Sequence, residues 1–391
     1  MHVGIDASNL RVGGGVTHLV ELLRAADPRE DSFDRITVWA GSRTLQRIEE
    51  RPWLDKIYDR LLDGALHRRV YWQRARLPEL AAAAGCDVLF VPGGSDASGF
   101  RPLVTMSRNL LPFEWREARR YGFGWLTLKN VLLRWSQKRT FRRADGLIFL
   151  TRYSQKIVMT SLGRASGKVT VISHGIDARF ARAPRPQEDI AAFSVERPFR
   201  LLYVSIVDAY KHQWVLAEAV ARLRAEGLPL TLELVGAAYP PALERLNETL
   251  RRVDPDARFI RYRGAVPYDE LHDVYASAHL NLFASSCENM PNILLEGMAA
   301  GLPIACSNRG PMPEVLGNAG VYFDPERPDD VAAAIRALVE SPSLRTRVAG
   351  AAFDRARQFS WARCARETFA FLETVTVNLR GTPDPISPAI P

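Results

Sequence analysis

Two glutamates eight positions apart, Glu288 and Glu296, are the residues of this sequence best suited to chemistry. An apolar run at 280–284 precedes them and is typical of a buried strand, and a polar turn follows the run. Pro291 suits the first position of a helix, and Gly301 suits the end of one. The pattern therefore predicts a strand, a turn that carries Glu288 and a helix that carries Glu296.

The start of that helix is a predicted anion site. The first N–H groups of a helix have no intrahelical acceptor, and the macrodipole favours negative charge beside them. We expect N–H groups near Asn292 and Ile293 to hold a phosphate group, and Asn289, in the turn before them, to bind the same ligand. A carboxylate on each side could then accept hydrogen bonds from the hydroxyls at the two ends of a nucleotide sugar. A solvated helix face is the alternative, but it does not account for a glutamate inside an otherwise apolar helix.

The stretch 288–296, ENMPNILLE, together with the GMAAGLPIACSNRGPMPEVL that follows it, resembles the E-x7-E signature of the retaining glycosyltransferases of family 4. The resemblance implies an α/β chain with GT-B architecture, in which two doubly wound, parallel-sheet (Rossmann-like) domains face a cleft. It further implies that Glu288 is catalytic and touches sugar hydroxyls, and that Glu296 holds the nucleotide side of the donor. A nucleotide diphosphate sugar is the implied donor, with no cofactor and no metal.

The second phosphate-binding feature is the stretch 204–212. This stretch resembles the turn in which family members have Gly-Arg followed by Lys-Gly. At the corresponding places this chain has Ser205-Ile206 and then Lys211-His212. The resemblance implies that Lys211 is catalytic and grips the diphosphate, that Ser205 lies at the donor, and that the second cation is missing. It also implies that the turn of Val266 contacts the base through its backbone. A solvent-exposed loop lysine is the alternative for Lys211.

A glycine-rich loop at 12–16 lies between a predicted strand, 2–7, and a predicted helix, 17–25. The loop is not G-x-G-x-x-G, and no G-x-x-x-x-G-K-[ST] occurs, which disfavours nicotinamide enzymes and P-loop enzymes. The family resemblance implies that Gly14 and Gly15 lie beside the donor phosphates, whereas a plain tight turn is the alternative.

Two later turns depart from the family pattern. Arg108-Asn109 stands where many members have a His-Asp pair, so the sugar-facing side of the first domain stays undefined. His174 takes the first place in a turn that otherwise resembles N-G-I-D.

Length and alternation predict two domains. A chain of 391 residues exceeds the usual limit of one core, and apolar runs that alternate with helical patterns predict parallel sheets. The predicted strands after the first are 36–40, 87–91, 103–106, 146–150 and 169–172, then 199–205, 231–235, 258–262, 280–284, 304–307 and 321–323. The predicted organisation is a first domain 1–180, a linker 181–197, a second domain 198–355, a closing helix 356–379 that returns to the first domain, and a disordered tail 380–391.

Composition sets the class of protein. Hydrophobic content of 47% and charged content of 25% are typical of globular chains. No run of about 18 apolar residues occurs, so no membrane span is expected, and the first residues lack a signal-peptide pattern, so we expect a cytoplasmic location. The cysteines have no metal-ligand spacing and are predicted to be reduced thiols: Cys86, Cys287, Cys306 and Cys364.

A net charge of +8 points to nucleic acid, a membrane surface or phosphorylated substrates as partners. The segment 115–143 interleaves arginines and lysines with tryptophans, and 68–76 does so more briefly. Such segments predict peripheral contact with an anionic membrane, here the inner face of the plasma membrane. Aromatic residues packed in the core are the alternative. Nucleic acid is not expected, because no reading module accompanies the charge.

The resulting interpretation is a retaining glycosyltransferase that moves a sugar from a nucleotide diphosphate sugar to a hydroxyl of a glycan or lipid-linked acceptor. Assembly of bacterial surface polysaccharide or glycolipid is the expected setting. Two alternatives stay open. A nucleotide-sugar epimerase of similar fold would need no acceptor, and a non-catalytic nucleotide- or polysaccharide-binding protein would show no turnover.

Overall fold

The computed structural model describes residues 1–11, 13–122 and 124–380. The chain divides into two compact units. Among the described residues, the first contains 1–113, 128–175 and 361–380, and the second contains 114–127 and 176–360. The predicted disordered tail lies outside the described residues, apart from residue 380 at the end of a helix.

The first unit is built on a parallel sheet. Its described strands are β1 (His2–Asp6), β2 (Arg35–Ala40), β3 (Leu54–Tyr58), β4 (Val88–Val91), β5 (Leu103–Met106), β6 (Gly146–Phe149) and β7 (Lys168–Val171). They pair in the order β3-β2-β1-β4-β5-β6-β7. Because the order reverses beside β1, the sheet is doubly wound.

The second unit repeats this plan. Its described strands are β8 (Phe199–Val204), β9 (Leu230–Val235), β10 (Ile260–Gly264), β11 (Leu280–Phe283), β12 (Ile304–Ser307) and β13 (Val321–Phe323). They form a parallel sheet in the order β10-β9-β8-β11-β12-β13. The prediction of two doubly wound parallel sheets is confirmed.

Helices connect most of these strands. In chain order they are α1 (Gly14–Ala25), α2 (Ser42–Leu45), α3 (Leu66–Ala75), α4 (Leu77–Ala83), α5 (Trp115–Ala118), α6 (Trp125–Arg143), α7 (Arg152–Leu162), α8 (Gln213–Ala225), α9 (Pro240–Val253), α10 (Leu271–Ser277), α11 (Asn292–Ala299), α12 (Met312–Leu316), α13 (Pro328–Val339), α14 (Pro342–Ala356) and α15 (Trp361–Arg380). Across the described part of the chain, none of them combines the length and apolarity that crossing a bilayer requires.

Strand β3 and helix α14 are among the elements that were not predicted, and each lacks the pattern on which the prediction relied. Strand β3 lies at the edge of its sheet and leaves Ile57 and Tyr58 exposed, so it does not form an apolar run. Helix α14 is rich in arginine and alanine and buries only a narrow face. By contrast, β4 and β11 are buried along their whole length and were predicted to within one residue.

The last helix packs on the first unit. Phe369 of α15 is fully buried, and its ring lies 4.5 Å from the ring of Phe33. The cysteines are free thiols, and Cys287, Cys306 and Cys364 are buried.

The segment 181–197, predicted as the interdomain linker, belongs to the second unit. The N–H of Arg182 donates to the carbonyl of Ala299 at 2.9 Å. Arg345 of α14 is fully buried, and its guanidinium donates to the carbonyls of Leu338, Val339 and Glu188. This arginine therefore ties the end of α13 to the segment.

Replacement of Arg345 by alanine is expected to lower the free energy of unfolding by about 3 kcal/mol, because it leaves buried carbonyls without donors and creates a cavity. Urea-induced unfolding followed by circular dichroism measures the change. Arg347→Ala, an exposed change on the same helix, is the matched control and should stay within about 0.5 kcal/mol of the wild type. Equal stability of the two variants would show that the Arg345 contacts contribute nothing.

Candidate functional site

The candidate site lies at the carboxyl edge of the second sheet, where β8 and β11 are neighbours. The strand order reverses there, and doubly wound sheets bind ligands at such a reversal. The turn after β8 carries Lys211, and the turn after β11 carries Glu288. The two predicted catalytic residues, 77 positions apart, are thereby brought together.

Lys211 and Glu288 form an ion pair between Nζ and Oε1. Lys211 is only 4% exposed, and its ammonium lies 5.1 Å from the ring centre of Tyr210 and 5.8 Å from that of Phe283. The aromatic faces and the carboxylate compensate the charge that burial removes from water. The pair thus presents one positive and one negative group at the same edge of the sheet.

Helix α11 begins beside this pair, but its first N–H groups differ from the prediction. The N–H of Asn292 donates to the carbonyl of Met290 at 3.0 Å, so it is already engaged. Among the described backbone hydrogen bonds, none uses the N–H of Ile293. The side-chain Oδ1 of Asn292 is buried without a hydrogen-bond partner in the described part of the chain. Ile293 is therefore the available backbone donor of the two.

Glu296 is buried within α11, at 5% exposure. The hydroxyl of Tyr275 lies 3.0 Å from Glu296 Oε2 and 3.2 Å from the carbonyl of Ile293. Burial raises the pKa of Glu296 to about 8, which outweighs the Tyr275 hydrogen bond. A protonated Glu296 fits this geometry, because its O–H can donate to Tyr275 while Tyr275 donates to the carbonyl.

Glu296→Gln is expected to make the protein more stable than the wild type at pH 8 by roughly 2 to 5 kcal/mol. Glu296 keeps its proton up to about pH 8 in the folded chain but only to about 4.5 in the unfolded chain. The contribution of Glu296 to the free energy of unfolding is therefore complete below pH 4.5 and is lost as the pH rises towards 8. Urea unfolding of both proteins from pH 4 to 9 measures the difference. The exposed Glu248→Gln is the control, and parallel curves for Glu296→Gln and wild type would contradict the expectation.

Ser205 and Val266 lie in turns that meet at Gly236. The N–H of Gly236 donates to the carbonyl of Gly264, and Gly236 has a φ of 147°. A Cβ at Gly236 would lie 2.1 Å from the carbonyl oxygen of Ser205, so only glycine fits. Sequence reasoning did not identify Gly236, although a glycine directly after a strand is a recognisable signal.

Gly14 and Gly15 lie in the first unit, in the first turn of α1. Arg108 donates to their carbonyls, at 2.7 Å to Gly14 and 3.4 Å to Gly15. The residue that departs from the family pattern therefore holds the glycine-rich loop.

His174, the other departure, pairs with a histidine that the sequence did not single out. Its Nδ1 lies 2.7 Å from Nδ1 of His18, and the edge of Trp361 packs against both rings. Burial lowers the pKa of both imidazoles well below 6.5, so one neutral ring donates to the other.

Residues 114–121, here called the strap, belong to the second unit although the sequence placed them in the first domain. The hydroxyl of Tyr121 donates to Asp208 Oδ1 at 2.7 Å, in the turn after β8. Ser286, in the turn after β11, donates to Glu117 Oε2 at 2.6 Å. Arg116 and Arg120 pair with Glu326, after β13. No sequence signal predicted these contacts, because the strap and the turns lie far apart in the chain.

The strap also brings arginines to the sheet edge at which Ile206 replaces the expected cation. Ile206 is 41% exposed, so an apolar side chain stands where the resemblance implies an arginine. The strap brings Arg120 to the same edge of the sheet, where it pairs with Glu117 and Glu326. Two of the arginines of the strap, Arg116 and Arg120, are therefore already paired with carboxylates.

Two family models match the chain. The model described as "Glycosyltransferase Family 4" matches residues 12–180, and the model described as "Glycosyl transferases group 1" matches residues 198–341. Together the matches take in most of both sheets.

Curated relatives align over part of their length. The chain is 36% identical over 110 residues to "O-antigen chain mannosyltransferase B" of Escherichia coli, covering 28% of this chain and 29% of that protein. It is 27% identical over 262 residues to "D-inositol 3-phosphate glycosyltransferase" of a Nocardioides species, covering 62% of this chain and 57% of that protein. The chain thus spans less than two thirds of these relatives.

A solved structure is similar over nearly the whole chain. Anabaena Alr3699/HepE in complex with UDP-glucose is 20% identical, covers 96% of this chain and 100% of its own, and gives a TM-score of 0.70. At that identity the likeness shows the GT-B fold. With both family models matched, this chain belongs to family 4 of the glycosyltransferases.

Proposed function

We propose that the protein is a retaining, metal-independent glycosyltransferase that moves a sugar from a nucleotide diphosphate sugar to an acceptor hydroxyl. The observation that carries this proposal is the Lys211–Glu288 pair beside the start of α11, with the buried Glu296 within that helix. A cation and backbone N–H groups suit a diphosphate, the carboxylate of Glu288 suits the hydroxyls of the sugar, and the carboxyl of Glu296 suits a hydroxyl on the nucleotide side.

Each group has a distinct role in the proposed reaction. Lys211 and the N–H of Ile293 stabilise the charge that develops on the leaving diphosphate, which is work that a metal ion does in other enzymes. Glu288 accepts hydrogen bonds from sugar hydroxyls and does not attack the anomeric carbon. Retention without a protein nucleophile requires the acceptor hydroxyl to approach from the face that the diphosphate leaves. Glu296 and Ser205 hold the nucleotide, and the backbone of the Val266 turn contacts the base.

The relatives support a setting for this chemistry. The mannosyltransferase relative acts on an O-antigen chain, and the Anabaena neighbour holds UDP-glucose. By this likeness the donor is a nucleotide diphosphate hexose, and the acceptor is a glycan or lipid-linked sugar of bacterial surface polysaccharide.

A thermal-shift screen of UDP, GDP and ADP sugars tests the donor. A true donor at 100 times its Kd stabilises the protein by about 2.7 kcal/mol. The sugar that shifts the melting temperature is then incubated with the protein, with and without glycan acceptors. Transfer that requires the acceptor supports the proposal. Sugar release or epimerisation without an acceptor favours an epimerase, and binding without turnover favours a non-catalytic protein.

We also propose peripheral contact with an anionic membrane through α6. Its exposed apolar side chains form one stripe, with Trp125 at 73% and Trp135 at 64% exposure and Leu128 and Leu132 between them. Lys138, Arg139, Arg142 and Arg143 lie beside Trp135 around one depression. An exposed apolar stripe bordered by cations is typical of an interfacial helix. The alternative of a core position for these two tryptophans does not fit their exposure.

Liposome sedimentation at low salt is expected to recover more protein with anionic vesicles than with neutral ones. Each cation near the surface contributes about 1 kcal/mol, so replacing Lys129, Lys138 and Arg139 by glutamine should weaken binding about 100-fold. Replacing Arg222, Arg251 and Arg258, exposed arginines of the second unit, removes the same charge from outside α6 and is the matched control. An equal loss of vesicle binding in the two triple variants would show that the attraction is not specific to α6. Equal recovery of the wild type with neutral and with anionic vesicles would exclude the contact.

A further inference from the structure

His212, directly after Lys211, has a backbone conformation that suits glycine. Its φ is 53° and its ψ is 32°, in the left-handed region, where a Cβ is unfavourable. Glycine adopts this conformation without cost, so a histidine here needs contacts that hold it. Its imidazole is buried, and Nε2 lies 2.9 Å from Ser286 Oγ.

Ser286 connects this turn to the turn of Glu288. Its N–H donates to the carbonyl of Tyr210 at 2.9 Å. Its hydroxyl lies 2.6 Å from Glu117 Oε2 and 3.3 Å from the carbonyl of Tyr210. A serine has one hydroxyl proton, and the shorter contact, to a charged acceptor, takes it. His212 must then donate its Nε2–H to Ser286.

Glu117 is the end of this chain of hydrogen bonds and comes from the strap. It is 4% exposed, and Arg120 donates to it at 2.7 Å. The strap itself is held by Tyr121 on Asp208 and by the arginine pairs on Glu326. Three separate turns of the sheet edge therefore fix the position of the Glu117 carboxylate.

We propose that Glu117, Ser286 and His212 are positioning residues that hold the left-handed turn placing Lys211 opposite Glu288. The two hydrogen bonds between these residues, here called the relay, run from Glu117 in the strap through Ser286 in the turn of Glu288 to His212 in the turn of Lys211. None of the three residues touches the substrate in this scheme. The inference rests on the proposed function for its kinetic test, but the hydrogen bonds themselves can be measured without turnover.

The kinetic test uses a donor on which the wild type turns over. Glu117→Ala is expected to lower kcat about 10-fold with the donor KM changed less than about 2-fold, because Lys211 is misplaced while the other donor contacts stay. Glu117→Gln retains an acceptor for Ser286 and should recover most of the rate. In the H212G background, Glu117→Ala should cost less than about 2-fold, since glycine takes the left-handed turn without restraint. Arg252→Gln, which breaks an exposed pair with Glu218, is the control and should match the wild type.

The same loss from Glu117→Ala in both backgrounds would overturn the inference, as would no loss in either. If Glu117→Ala does not fold, Ser286→Ala removes both hydrogen bonds while leaving the Glu117–Arg120 pair, and the same loss of kcat is expected. Nitrogen NMR of the imidazole, assigned with H212G, should show a slowly exchanging Nε2–H in the wild type and in Glu117→Gln but not in Glu117→Ala. A proton on Nδ1 would overturn the relay even if no donor is turned over, whereas an inactive wild type with an intact relay would contradict only the proposed function.

Discussion

Replacement of Lys211 by alanine is expected to lower kcat by about 100- to 1000-fold while the donor Kd changes far less. The ammonium is almost fully buried and lies against Glu288, so it is fixed before a donor arrives. A preorganised cation stabilises the charge that develops on a leaving diphosphate more than the charge already present in the bound donor. Steady-state kinetics and calorimetric binding of the donor separate the two effects.

Two variants make the Lys211 result specific. Lys156→Ala removes an exposed lysine from the first unit and should leave kcat unchanged. Lys211→Arg keeps the charge but brings a larger, planar group into a buried site, so we expect only partial recovery. Normal turnover by Lys211→Ala would exclude the proposed role. A much weaker donor affinity with an unchanged kcat would limit Lys211 to ground-state binding.

Glu288→Gln is expected to lower kcat by about 100-fold or more, because an amide has one acceptor oxygen where the carboxylate has two and carries no charge. The carboxylate must accept hydrogen bonds from Lys211 and from the sugar hydroxyls at once, so the substitution weakens both contacts together. In contrast, Glu296→Gln should mainly raise the donor KM, since its proposed contact is with the nucleotide. Comparison of kcat and KM for the two variants distinguishes these roles.

Two measurements on the wild type and one double variant accompany the Glu288 test. Proton NMR of the product should show the anomeric configuration of the donor, and EDTA should leave the rate unchanged. A double variant with Lys211→Ala should cost less than the product of the single losses, since the two side chains act as a pair. An inverted product, or activity abolished by EDTA, would contradict the proposed mechanism.

Most of the fold could be predicted because its strands are buried on both faces. Such strands form continuous apolar runs, and 103–106 and 304–307, which are buried throughout, were predicted with their observed bounds. The edge strand β3 and the helix α14 could not be predicted this way, because charged and small residues interrupt their apolar pattern.

The sequence by itself determined the family, through the spacing of Glu288 and Glu296 and the stretch after them, and it determined the two alternating sheets. Only the tertiary structure decided that Lys211 pairs with Glu288, and that Glu117 reaches Ser286 across 169 positions. It also decided that Glu296 is buried against Tyr275, which raises its pKa. The physical reason is that periodicity and turn residues act within one element, whereas the approach of two turns and the loss of water around a carboxyl depend on how distant elements pack.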